Sequence, residues 1–305
     1  MSQITRSAEP HPAGETTQGQ PTQMEPTTRT QDREFQPAEG GTAGLPVRSL
    51  STIWRAAFIG ILSKETRRIL RIWVQTLLPS AVTTTLYFLI FGNLIGPRVG
   101  QIDGVPYMAF IVPGLIMMAV ITNSYGNVSG SFFSSKFMHN IEVMLVAPVP
   151  NWVILAGYVG GGIMRGLLVG IIVAILSLFF VQMQPVNILI MLLVIVLTAI
   201  VFALAGFINA MMATKFDDIS IVPTFVLTPL TYLGGVFYSI NMLPPVFRAM
   251  SFANPVLYMI NAFRYGVLGI SDISIYWSLG LLLVFVFVFA GTALWLLQRS
   301  KSLRT

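Results

Sequence analysis

The chain reads as an all-α polytopic membrane protein: six transmembrane helices, an N-terminal amphipathic helix at the membrane interface, and a re-entrant helical hairpin between spans five and six. Three observations carry that reading. Only 10% of the 305 residues are charged and 54% are hydrophobic, whereas soluble domains hold about 25% charged residues. The apolar residues gather in blocks near the roughly 20 residues that cross a bilayer. Lysine and arginine concentrate on alternate connections, as they do in membrane proteins of fixed orientation.

Residues 1–48 are rich in Pro, Thr, Gln, Gly and Glu, with Phe35 as their one aromatic. Such a segment buries too little apolar surface to offset its ordering entropy and is expected to be a disordered cytoplasmic tail. It has no apolar stretch of the kind a signal peptide carries. The membrane domain follows over 49–303. It opens on Ser51–Trp73, where Trp54, Phe58, Ile61, Leu62, Ile69 and Ile72 share one side of a helix and Lys64, Arg67, Arg68 and Arg71 another. A basic face opposite an aromatic and aliphatic one suits a helix lying in the headgroup plane. Glu65 falls on the apolar stripe, either paired with Arg68 three residues on or reaching a cytosolic partner. The interface-helix candidates are therefore Glu65, Arg67, Arg68 and Arg71.

Spans are expected near 74–95, 107–128, 152–180, 187–213, 219–237 and 276–297. An even count places both termini on one side. Fourteen Lys and Arg fall on the side of the termini, three (Arg98, Arg248 and Arg264) on the other, and Arg165 within a span. Both termini are thus expected to be cytoplasmic, and the net charge of +6 reflects topology, not nucleic-acid binding. Between spans five and six, Pro244-Pro245 and Asn254-Pro255 break the apolar run. Asn254 suits an N-cap with Pro255 at the first helical position. A helix from there to Leu268 would measure about 21 Å, too short to cross, which suggests a hairpin dipping in from the outer face.

The stretch FFSSKFMHNIEVMLVAPVP, 132–150, is a polar island between apolar blocks. Phe133, Phe137, Ile141 and Leu145 recur every fourth residue and would share one face of a short helix over 134–147. Lys136, His139 and Glu142 would lie off that face, Ser134 or Ser135 would cap its start, and Pro148 and Pro150 would end it. A short amphipathic helix at a membrane face suits docking onto a partner protein.

Catalysis finds little support. The two histidines, His11 and His139, lie outside the spans, and the expected spans hold no Cys, His, Asp or Glu. Ser129 and Ser131 thus lack the base a nucleophile needs, and no carboxylate relay for protons is apparent. Gly157–Gly162, GYVGGG, lacks the Gly-Lys-Ser/Thr ending of a phosphate-binding loop; its small residues suit close helix approach in lipid. The fifteen methionines suit packing better than metal binding. Asp217 and Asp218 suit the capping of the next helix, and Pro223 and Pro229 would make it bendable. Arg165 and Arg264 remain as candidates for a transport pathway, Arg165 with the competing reading of an arginine that snorkels to the cytoplasmic headgroups or pairs across a dimer interface.

The segments RIWVQTLLPS (71–80), YFLIFGNLIG (87–96), FIVPGLIMM (110–118), IEVMLVAPVP (141–150), AGYVGGG (156–162), FDDISIVPTFVLTPLTYLGGVFYS (216–239) and NPVLYMINAFRYG (254–266) resemble the ABC-2 type permeases, in their bacterial YadH-like branch. These are membrane subunits of ATP-binding-cassette exporters, and the resemblance covers about 53–303. It implies a cytoplasmic interface helix at 53–72, a coupling helix at 134–147 and a helical hairpin at 241–268. It implies a bacterial inner-membrane exporter permease, itself no enzyme, that pairs with a second copy of itself and with two cytosolic ATPase chains. ATP and Mg²⁺ would bind those partners and no cofactor this chain. The competing reading is an ATPase-independent channel or facilitator.

Overall fold

The computed structural model describes residues 49–299 except 142, 143, 145 and 146; the tail, Glu142, Leu145, Lys301 and Arg304 lie outside the described residues. Helix α1 spans Leu50–Arg71. Helix α2, Trp73–Tyr87, runs through a π-helical stretch, Phe88–Ile95, into the short α3, Gly96–Val99. Strands β1 (Gln101–Ile102) and β2 (Val105–Pro106) pair antiparallel, Gln101 opposite Pro106. Asp103 and Gly104 turn between them at φ 48° and 81°, the left-handed pair that a two-residue hairpin loop demands. The expectation of an all-α chain misses this small hairpin. Its Asp-Gly signal lies in a connection too short to look like anything but a loop.

Three long helices follow: α4 (Tyr107–Phe137), α5 (Asn151–Leu178) and α6 (Ile188–Met212). Then come α7 (Phe216–Val222), a π-helical turn over Pro223–Leu227, and α8 (Thr228–Tyr232), together one segmented helix of three pieces. Helix α9 (Pro245–Phe252), α10 (Pro255–Leu268) and the long α11 (Ile275–Arg299) complete the domain.

Among the described residues, five helical runs are long and apolar enough to cross a membrane: 73–99, α4, α5, α6 and α11. The expected span over 219–237 is not a single helix. Pro223 and Pro229 each lack an N–H and crowd the carbonyl four residues back, so the run breaks into pieces. Its helical part, 216–232, measures about 25 Å, short of a hydrocarbon core of about 30 Å.

The second correction concerns 128–147. No separate helix begins at Ser134 or Ser135; α4 runs unbroken to Phe137. Polar residues lower the hydropathy after Val128, but Ser129, Ser131 and Ser135 are buried, so their polarity marks packing and not an exit from the helix. The chain turns at Met138 and His139, the latter at φ 55°, and is helical again at Asn140, Ile141 and Met144. The shared face expected for Phe133, Phe137 and Ile141 is therefore lost. Phe133 and Ile141 are buried, whereas Phe137 is 58% exposed.

Helix α4 is the axis of the domain. It is 78% buried over its most apolar window, against 17% for the 73–99 run and 11% for α11. It packs on α5, α6 and α10, while α6 also carries α10 and α11. Close approach to α6 depends on Gly206, where a Cβ would fall 2.4 Å from the Tyr125 carbonyl oxygen. The Asn254 side chain accepts from the Val256 N–H at 3.0 Å with Pro255 first in α10, as its sequence suggests.

Candidate functional site

The end of the domain that carries α1 also gathers the last turn of α4, the start of α5, the end of α6 and the start of α7. We call it the basic end. Phe133 and Phe137 stack at 6.2 Å between centroids, and Phe216, the first residue of α7, meets them edge-on at 4.9 and 5.0 Å. Phe137, Met138, Met212 and Phe216 are each more than half exposed, which leaves an apolar patch beside a turn. His139 and Asn140 are exposed on that turn. Lys136 points elsewhere: its Nζ donates to the carbonyls of Met211 at 2.8 Å and Ala213 at 2.9 Å. A cation there satisfies orphan carbonyls and the negative end of α6. The patch thus rests on Phe137 and Phe216, and sequence reasoning missed Phe216 because it lies 79 positions on from Phe137.

Helix α1 lies against α5, and the glycine-rich stretch explains how. A Cβ on Gly157 would fall 2.7 Å from Ile61 Cγ2, and one on Gly161 2.7 Å from Glu65 Cβ. Small residues allow this approach. It buries Glu65 completely. Its carboxylate accepts from Arg68 Nη2 at 2.7 Å, from Asn127 Nδ2 at 3.5 Å and from Ser131 Oγ. Arg68 Nη2 also donates to the Asn127 carbonyl and Oδ1, at 3.2 and 2.8 Å. Nearby, Lys64 Nζ and Tyr158 hydroxyl both donate to Ser135 Oγ, at 3.1 and 3.0 Å. Glu65 therefore binds within the chain and does not reach a cytosolic partner. Arg67 and Arg71 are exposed on the other side of α1. Arg165, on α5, is half-buried and near enough to Arg68 for the two charges to repel.

The second pathway candidate, Arg264, lies far from Arg165 in the fold. It is 1% exposed on α10, donates from Nη2 to the Gly235 carbonyl at 2.6 Å and lies 3.9 Å from the centroid of the Phe110 ring. The cation on an aromatic face offsets part of its desolvation. Asp272 holds the same region together. It accepts from Ser239 Oγ at 2.7 Å, the Ile240 N–H at 3.3 Å and Asn241 Nδ2 at 3.3 Å. The two arginines do not form one site.

The surface of the bundle offers a groove between α2 and α4, with a cavity of about 200 Å³. Ser80, Thr83, Thr84 and Tyr87 line one wall, Thr122 and Asn123 the other. Asn123 Nδ2 donates to Ser80 Oγ across it at 3.2 Å. At its rim the Tyr87 and Tyr232 hydroxyls hydrogen-bond at 2.7 Å, which joins α2 to the end of the segmented helix. The signal for this groove is present in PSAVTTTLY: hydroxyls at 80, 83, 84 and 87 follow the helical i, i+3, i+4, i+7 pattern. It was overlooked because hydroxyls scarcely lower the hydropathy of a span.

At the start of the segmented helix, Asp218 Oδ2 accepts from the N–H groups of Lys215 (2.9 Å) and Thr214 (2.8 Å) and from Thr214 Oγ1 (2.9 Å). These donors, the Lys215 N–H first, hold its carboxyl below the usual carboxylate range. The pair Asp217 and Asp218 thus begins a helix, as its position suggests.

A long central helix linking an apolar patch to a polar groove within a bundle of spans is the arrangement of a transport protein, and comparison with known sequences agrees. Residues 56–268 match the profile of the ABC-2 type transporter family. The chain is 56% identical over 253 residues to the inner membrane transport permease YadH of Escherichia coli K12, covering 83% of this chain and 99% of that one. It is 23% identical over 251 residues to nodulation protein J of Rhizobium leguminosarum bv. viciae, covering 81% and 94%. For nodulation protein J of Sinorhizobium fredii the identity is 27% over 186 residues, 61% and 70% of the two chains. The chain belongs to the ABC-2 type transporter family, as the multi-pass membrane permease of an ATP-binding-cassette transporter.

Proposed function

We propose that the chain is one half of a homodimeric bacterial exporter in the inner membrane, driven by two copies of a cytosolic ATPase that dock on the basic end. Helix α4 is the observation that carries this. Its last turn presents Phe137 to the patch, and four turns earlier the same unbroken helix presents Thr122 and Asn123 to the groove. A rigid helix about 46 Å long transmits a push at one end to the other. Phe216 forms the patch's second contact, and the segmented helix it begins reaches the groove through Tyr232.

In this reading the basic end is cytoplasmic, which the lysine and arginine distribution supports, and ATP and Mg²⁺ act on the partner. α1 lies along the headgroups with Arg67 and Arg71 toward lipid phosphates. The segmented helix, extended by its following turn, makes a sixth crossing, and α9 and α10 form the hairpin dipping from the outer face. The uncovered apolar face of α2 and of the π-helical stretch after it, with Leu78, Val82, Leu86 and Ile90 near half exposure, meets lipid or the second copy. Inner-membrane placement is carried over from the Escherichia coli relative, an inner membrane transport permease.

The test is co-purification of the tagged full-length chain with cytosolic ATPases from its own membranes, and an ATPase assay on the product. A stoichiometric ATPase retained by the natural chain and released by Phe137→Asp or Phe216→Asp, with the spans still folded, is the expected outcome. An ATPase that stays bound in both variants would overturn the docking assignment, and a homo-oligomer without ATPase would overturn the driven exporter.

A further inference from the structure

Behind the segmented helix lies a second cavity of about 430 Å³, separate from the groove. Five elements wall it: α4 with Tyr125, α6 with Phe202 and Ala205, the segmented helix with Leu227, α10 with Met259 and α11 with Phe289. Its volume lies within the range of ligand pockets, about 300–1,000 Å³. Two polar side chains face it, Tyr125 and Asn209. Asn209 donates to the Ile219 carbonyl at 3.3 Å. Tyr125 is 1% exposed, and its hydroxyl lies beside the Asn209 side chain, closed off from the cavity.

Three occupants compete for such a space. Vacuum is costly, because the penalty for a cavity grows with its volume. Water needs two to four polar partners per molecule, and this wall cannot supply a cluster of them. Hydrocarbon is at hand, since the helices that flank the cavity turn uncovered apolar side chains outward: Phe225 and Phe287 are each 73% exposed. Depth adds a constraint. Tyr125 lies about 27 Å along α4 from Tyr107, close to the far boundary of a hydrocarbon core about 30 Å thick. That is the depth of a glycerol ester in the leaflet at the basic end.

We infer that this cavity is a lipid site. It holds one acyl chain of a membrane phospholipid, which enters between the segmented helix and α11. The chain fills the space into which the proline-broken helix would otherwise collapse. The site needs only the permease in a bilayer and is independent of the exporter reading.

The experiment uses the purified full-length chain in nanodiscs containing phosphatidylethanolamine with a diazirine on one acyl chain, irradiated and mapped by peptide mass spectrometry. Labelling is expected within 201–212 and at the cavity-lining Val222, Leu227 and Leu230. Ala205→Phe should cut it about tenfold, the change expected when roughly two methylene groups lose their pocket. Tyr125→Phe, which keeps the packing, should leave the labelling unchanged. Labelling confined to outward residues such as Phe225 and Phe287, or unchanged in Ala205→Phe, would overturn the site. Stronger labelling by a free diazirine fatty acid than by the phospholipid would overturn the assignment to a resident lipid.

Discussion

Helix α4 and the segmented helix both start or end at the apolar patch and both reach the hydroxyl groove, yet they are built in opposite ways. Helix α4 holds 31 residues in one piece and is buried for most of its length. The segmented helix covers a similar path with two prolines, a π-helical turn and several outward-facing residues, among them Phe225. Prolines and π-turns are where helices bend. The contrast teaches a division of labour: one helix conveys displacement without absorbing it, and the other yields, with a filled space behind it.

The stiff half is the easier one to break. Arg68→Ala leaves the Glu65 carboxylate buried and unpaired between α1 and α4, and should cost about 3 kcal/mol, since removing one partner of a buried pair is strongly destabilising. Thermal melting in detergent would register it, and Glu65→Gln, which leaves no charge behind, should cost less. Next comes Gly206→Ala. A methyl group there meets the Tyr125 backbone carbonyl and should cost about 1–3 kcal/mol as α4 and α6 are forced apart; the same melting curve tests it.

Substitutions in the yielding half should separate stability from activity. Pro229→Ala restores a helix-compatible residue and should leave stability within about 1 kcal/mol, while transport by the assembled complex falls because the bend is lost. Transport unchanged in this variant would contradict the division of labour. The smallest effect belongs to Asp218. Its carboxyl is held below the usual range by N–H donors, so its contribution is present above the unfolded-state pKa of about 3.9 and is lost as pH falls through the lower folded value. Asp218→Asn should therefore alter melting at pH 7 and converge with the natural chain in strong acid.

Much of this architecture was legible in the chain itself. Apolar block length placed spans near 74–95, 107–128, 152–180, 187–213 and 276–297, on the runs the structure has at 73–99, α4, α5, α6 and α11, because the bilayer imposes one length on every crossing. Asn254-Pro255 marked a helix start because a cap and a proline act locally. The failures share a cause. Ser134 and Ser135 looked like an exit from the membrane because hydropathy cannot distinguish a polar residue facing water from one facing another helix. Glu65 looked equally suited to a partner for the same reason. Phe216 and Tyr232 entered the site only through contacts with Phe137 and Tyr87, which no local pattern encodes.

The account rests on α4 carrying motion from patch to groove, and one measurement addresses it directly. The chain has no cysteine, so spin labels at Thr83→Cys and Thr122→Cys report on the groove alone, by electron-electron distance spectroscopy on the complex with its ATPase. The account predicts a distance that shifts when ATP is added and no longer shifts in Phe137→Asp. A groove distance indifferent to ATP in the assembled complex, or one that still responds after Phe137→Asp, would contradict it.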